Sequence, residues 1–195
     1  MLNIAPEISR EHFTPPHVVK DMCSNLEPGI SNIGKKIFEP SCGEGVFLVE
    51  VIERRMKKNA RRLHSNNKIL CTIAMIDLVK NIYALDIIPE FVNVTRDQLL
   101  KKVSINLTTK KFTSTEIENI KKFLIHIISL NVVCFDFLDN KSDKEILFID
   151  WSWKTQTKLN FVSYAFSDVV SSSSIHHISK PKQIGHYDIQ KVLNG

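Results

Sequence analysis

Lys35-Lys36-Ile37-Phe38-Glu39-Pro40-Ser41-Cys42-Gly43-Glu44-Gly45-Val46-Phe47-Leu48 is the stretch on which the reading of this 195-residue chain turns. Lys35 to Glu39 reads as a short strand ending on an acid, and Gly43 and Gly45 follow closely. Glycine tolerates positive φ and lets a backbone approach a ligand; a helix starting just beyond it offers free N–H groups. From Val46 the apolar spacing is helical, predicting a basic helix that ends near Leu63. Strand, glycine turn and helix together open an α/β sheet.

Upstream, Thr14 is read as the cap of a helix with Pro15 at its first position, where a missing N–H costs nothing. Glu27-Pro28-Gly29 ends that helix. Downstream, the mostly apolar run from Ile69 to Val79 suits a helix packed on the sheet. Asn81 to Asp86 reads as a second strand, Pro89 to about Leu100 as a helix, and residues 101–113 as a polar connection. A helix from Ser114 to about Ser129 leads into a third strand, Asn131 to Asp136. This alternation predicts a mostly parallel sheet with crossover helices. Ile146 to Trp153 and Tyr187 to Leu193 read as further strands. The latter reaches the last residues with no covering helix, so the sheet is expected to be incomplete at the C-terminus.

Three of the first strands end on acids: Glu39, Asp86 and Asp136. Ligands of open parallel sheets sit outside the carboxyl ends of the strands. An acid after the second strand suits ribose hydroxyls, and one after the third suits an adenine amino group. The set describes an adenosine-containing cofactor. A nicotinamide dinucleotide would want a third glycine at position 48 and an acid roughly 20 residues on. Leu48 occupies that position and Asp86 lies much farther along, which disfavours the dinucleotide.

Bulk properties narrow the classes. A hydrophobic fraction of 43% supplies one sizeable core, so residues 1–195 are expected to form a single domain. Cys23, Cys42, Cys71 and Cys134 are scattered without a CxxC pair, which argues against a zinc site or disulfide framework and for a reducing compartment. No segment reads as a secretory signal or a membrane span, so a soluble, cytoplasmic protein with no membrane partner is expected. The net charge of +5 is compatible with a polyanionic partner and decides little alone. Arg54, Arg55, Lys57, Lys58, Arg61 and Arg62 form a basic run that suits phosphates, although such a face is more often simply solvated. Ser171 to Ser174 with His176 and His177 read as a loop, since no strand-turn-helix context presents a nucleophile.

Four segments in order carry a family resemblance: Phe13-Thr14-Pro15-Pro16, Phe38 to Leu48, Tyr83-Ala84-Leu85-Asp86-Ile87-Ile88-Pro89-Glu90, and Cys134-Phe135-Asp136-Phe137-Leu138. Over residues 12–138 the chain resembles the DNA adenine-N6 methyltransferases of restriction–modification systems whose cofactor region comes first. The resemblance implies a Rossmann-like methyltransferase fold and S-adenosyl-L-methionine as cofactor. It places Thr14 and Pro15 at the methionine end. Glu39, Cys42, Gly43 and Gly45 surround the amino and carboxylate groups. Asp86 holds the ribose hydroxyls with Ile87 on the adenine, and Asp136 accepts from the adenine N6 with Phe137 against the ring. Each residue has a plainer reading. Thr14 and Pro15 make an adequate helix start, Asp86 and Asp136 suit strand-end turns, and Cys42, Ile87 and Phe137 suit a core.

The same resemblance implies a catalytic Asp/Asn/Ser-Pro-Pro-aromatic tetrapeptide after a fourth strand, and this sequence has none. Its only Pro-Pro is Pro15-Pro16, flanked by Thr14 and His17. Tyr187 to Gly195 resembles the strand that leads into that motif, so residues 139–195 are read as an insertion plus a truncated fourth strand. No catalytic residue is assigned; Asp150-Trp151-Ser152-Trp153 lacks the proline that fixes the backbone carbonyl. The partners expected are DNA, through a full-length enzyme, and a separate C-terminal catalytic or recognition chain. The rival reading is a non-catalytic cofactor-binding or interaction module that pairs with such a chain.

Overall fold

The computed structural model describes residues 14–136, 146–167 and 181–195. Phe13, Phe137, Leu138 and the Ser171–Ser174 segment with His176 and His177 lie outside the described residues. Strands β1 (Ile37–Glu39), β2 (Ile82–Asp86) and β3 (Val132–Cys134) form a parallel sheet with β2 in the middle. All five β2 residues are buried, as expected where both faces of a parallel strand are covered. Ile37 pairs with Ile82, Glu39 with Ala84 and Asp86 with Cys134.

The helices follow from local chemistry. Helix α1 (Pro16–Asn25) starts one residue later than the sequence suggests. Pro16 holds the first helical position and pushes Pro15 into an extended conformation, and Thr14 does not cap the helix. Helix α2 (Val46–Lys58) breaks at Asn59, whose side-chain amide donates to the Arg55 carbonyl at 2.8 Å, and α3 (Ala60–Leu63) resumes beyond it. Helix α4 (Lys68–Val79) is capped by the Asn67 side chain, α5 spans Pro89–Ser104, and α6 (Ser114–Asn131) opens on a capping box between Thr113 and Glu116. Helix α6 passes into β3 without a loop.

The second sheet departs from expectation. Strands β4 (Leu147–Trp153), β5 (Lys158–Ala165) and β6 (Gln183–Asp188) pair antiparallel in that order. Among the described residues the architecture is therefore mixed α/β with one parallel and one antiparallel three-stranded sheet, not a mostly parallel one. The fourth parallel strand read from Tyr187 to Leu193 is absent among the described residues. Tyr187 and Asp188 end β6, and residues Ile189–Asn194 form helix α7. Asp188 caps that helix by accepting from the Gln190 N–H at 3.0 Å, and Ile189 and Leu193, four apart, bury its inner side. In β6, Gly185 lies opposite Phe161, whose ring occupies the space a Cβ would fill.

The two sheets share one core. Leu48, Val51 and Ile52 of α2, Met75 and Ile76 of α4, and Leu124 and Ile127 of α6 join Ile149, Trp151, Leu159, Ile189 and Leu193 in a single buried cluster. Indole N–H groups fix the docking. Trp151 Nε1 donates to Asn131 Oδ1 at 3.0 Å, and Trp153 Nε1 donates to Asp77 Oδ1 at 2.7 Å. Tyr83 of β2 stacks on Phe148, and its hydroxyl donates to the Ile149 carbonyl at 2.7 Å. Strand β4 thus crosses one face of the parallel sheet, from Phe148 over β2 to Trp153 beside α4.

The basic run is not a uniform solvated face. Arg55 is 0% exposed and donates to three backbone carbonyls, those of Ile30, Lys35 and Leu78. Burial pushes its pKa down to about 10, which leaves it charged at neutral pH. Arg54 pairs with Glu50 and Glu27, and Arg62 with Asp77. Among the described residues no helix is long and apolar enough to cross a membrane.

Candidate functional site

Alternation along a strand sends residues two apart to the same face. Glu39 lies level with Ala84, so its side chain leaves the sheet on the same side as Asp86. Tyr83 and Leu85 take the other side, toward the antiparallel sheet. The two acids therefore stand at the carboxyl edge on the face away from β4.

The glycine turn is tied to this edge from three directions. The Cys42 N–H donates to the Leu85 carbonyl at 2.9 Å, and the Gly45 N–H donates to the Cys42 carbonyl at 2.8 Å. Asp86 Oδ2 accepts from the Gly43 N–H at 2.8 Å, while its Oδ1 accepts from the Ile88 N–H at 3.0 Å. Thr95 of α5 donates its hydroxyl to the Gly43 carbonyl at 2.8 Å. Asp86 is thus a carboxylate buried against backbone N–H groups, with a second lone pair on each oxygen for a further donor. Gly45 then leads into α2, whose first turn has no side-chain cap and no acid, so its N–H groups open toward the same edge.

The two glycines serve different ends. Both have positive φ, +51° at Gly43 and +80° at Gly45. A Cβ on Gly45 would lie 2.8 Å from Thr95 Oγ1 and 2.9 Å from its Cγ2, so this glycine is required by packing on α5. A Cβ on Gly43 would meet nothing within 4 Å, so the space before Gly43 is open. Gly45→Ala is expected to destabilise the fold by roughly 2–4 kcal/mol through strain and overpacking. Gly43→Ala should cost only the left-handed backbone, about 1–2 kcal/mol. Thermal unfolding followed by circular dichroism separates the two; equal losses would refute the assignment.

Electrostatics single out Glu39. Burial raises its pKa above the ordinary glutamate value, opposed by a hydrogen bond from the Ser41 N–H at 3.3 Å. Among the described residues no ion pair offsets its charge. The Cys42 thiol is pushed up to about 11 by burial, which keeps it neutral and unreactive at neutral pH.

The other sequence candidates are placed unevenly. Ile87 is 63% exposed beside Asp86, and the Phe135 N–H donates to the Asp86 carbonyl at 2.9 Å, setting the end of β3 next to that of β2. Asp136 is exposed just beyond β3. Thr14 and Pro15 are exposed at the start of α1, and among the described residues no hydrogen bond joins either to the glycine turn. Phe137 lies outside the described residues. Sequence reasoning missed Thr95 and Ser41. Thr95 gives no local signal, because its partner carbonyl is 52 residues away. Ser41 contributes only backbone, which any residue there other than proline supplies.

Comparison with protein-family models, with curated proteins and with solved structures finds no match for this chain.

Proposed function

We propose that the carboxyl edge of the parallel sheet binds S-adenosyl-L-methionine, as the cofactor-binding part of a DNA adenine-N6 methyltransferase of the restriction–modification type with a Rossmann-like fold. The observation that carries the reading is the gathering of Glu39, the Gly43–Gly45 turn and Asp86 on one face of one sheet edge, with open space before Gly43. The donor set suits the group. Glu39, a carboxylate raised by desolvation, gains most from a cationic partner such as the cofactor's amino group. The second lone pairs of Asp86 face ribose hydroxyls, and exposed Ile87 offers an apolar surface to the adenine. Asp136 and Phe137 take the adenine amino group and ring, Thr14 and Pro15 the methionine end, and Cys42 and Gly45 shape the turn.

The bound cofactor supplies an electrophilic methyl group on a sulfonium. The chain's residues hold and orient it; no residue here is assigned to activating the acceptor nitrogen, since the Pro-Pro-aromatic tetrapeptide is missing from the sequence. Base flipping and DNA contact, which this chemistry needs, fall in this reading to residues other than those assigned here.

Glu39→Gln tests the binding site by moving stability and affinity in opposite directions. A carboxylate whose folded pKa is raised costs stability when ionised, fully so above its folded pKa and not at all below its unfolded one. The amide removes that cost and keeps the acceptor for Ser41, so the melting temperature at pH 7 should rise. The rise should fade as the pH drops through the glutamate range. Affinity for S-adenosyl-L-methionine should fall at least tenfold, the effect of losing a charge-assisted hydrogen bond worth about 1.5–3 kcal/mol. Thermal shift with and without cofactor measures both; an undiminished cofactor-induced shift in the variant would remove Glu39 from the site.

A further inference from the structure

A cavity of about 810 Å³ opens at the other edge of the molecule, between α3, α4 and the β4–β5 turn. Its volume falls in the roughly 300–1,000 Å³ range of small-ligand sites. One wall is apolar and aromatic, made by Ile73 of α4 and the indole of Trp153. The indole is held in place because its Nε1 donates to Asp77. The lining carries one carboxylate, Asp77, already matched by Arg62 at 2.8 Å and Lys80 at 3.5 Å. Charge at this wall is therefore positive: Arg62 commits one of its five N–H donors to Asp77, and Lys154 stands at the turn beside Trp153. Amides from Asn67 and Gln190 add groups that both donate and accept, suited to the edge of a heterocycle. Asn67 uses its carbonyl on the Leu70 N–H, which leaves its NH2 as the available group.

We infer that this cavity is a second ligand site, for a nucleoside monophosphate: the base against Trp153 and Ile73, and the phosphate at Arg62 and Lys154. A ring-stacking wall next to two cations, with amides for the base edge, matches an aromatic anion better than a purely apolar or a cationic ligand. The inference does not rest on the cofactor reading, because Asp77 precedes the start of β2 whereas Asp86 ends it.

Trp153 makes the test direct, because Trp151, the only other tryptophan, is buried at 4% exposure. Titration of the full chain with adenosine 5′-monophosphate should quench tryptophan fluorescence saturably. Lys154→Gln, on an exposed turn, should weaken binding at least fivefold with an unchanged melting temperature. Trp153→Phe should abolish most of the quench and weaken calorimetric affinity about tenfold, the scale of a lost stacking contact. Adenosine alone and inorganic phosphate alone should each bind at least tenfold more weakly. The absence of saturable binding, or binding indifferent to Lys154→Gln, would overturn the proposal. A thymidine dodecamer binding more than tenfold tighter than the monophosphate would also overturn it, making the cavity part of a strand-binding groove.

Discussion

Arg55→Met is expected to lower the stability of the fold by about 3–5 kcal/mol, the largest effect of any single substitution considered. The side chain is fully buried, and its guanidinium reaches the carbonyls of Ile30, Lys35 and Leu78 at 3.0, 2.7 and 3.2 Å. These belong to the segment before β1 and to the end of α4, so one cation joins α2 to the approaches of two parallel strands. Methionine fills much of the volume but leaves all three acceptors without that donor. For a chain of this size each kcal/mol is worth roughly 2–4 °C in Tm. Arg61→Ala, at an exposed position of the same basic run, should stay within about 0.5 kcal/mol. Urea unfolding distinguishes the two. An Arg55→Met variant as stable as Arg61→Ala would mean that the buried guanidinium holds nothing together.

Asp86→Asn should damage both fold and site. Asp86 accepts from the Gly43 N–H on one oxygen and from the Ile88 N–H on the other. An amide keeps one acceptor and turns the other into a donor, so one buried N–H must face an NH2 group. The combined loss of a charge-assisted hydrogen bond and of a partner for that N–H is about 2–4 kcal/mol. The Gly43–Gly45 turn then loses its tie to β2, and S-adenosyl-L-methionine affinity should fall at least tenfold. Asp86→Glu, which keeps the charge at the wrong reach for the Gly43 and Ile88 N–H groups, should restore only part of that stability. Calorimetry and urea unfolding on the same preparations read both quantities. A stable Asp86→Asn variant with wild-type affinity would separate this carboxylate from both roles.

Much of the parallel half was legible because punctuation and apolar runs agree there. Pro40 and the two glycines end β1, the run from Ile82 ends at Asp86, and Pro89 opens α5 where its missing N–H is tolerated. The antiparallel half was less so. Lys158 to Ala165 mixes polar and apolar residues without strict alternation, so its sequence carries no clear strand signal and the hairpin that defines the second sheet does not show in it. Tyr187 to Leu193 is short enough to fit either period; the cap at Asp188 and the burial of Ile189 and Leu193 decide for a helix in the structure. Of the site, the acids and glycines were readable as residue types at strand ends. Their coupling was not, since the Gly43–Asp86 contact spans 43 residues and the Thr95 contact 52. Arg55 was hidden for the same reason: among six basic residues at helical spacing, only distant carbonyls mark the one that is buried.

The most direct test of the account is isothermal titration of the full 195-residue chain with S-adenosyl-L-methionine at neutral pH. Saturable binding at one site per chain, weakened at least tenfold by Glu39→Gln, is the result expected. A flat titration from a chain shown by circular dichroism to be folded would contradict the claim that the carboxyl edge of the parallel sheet is a cofactor site.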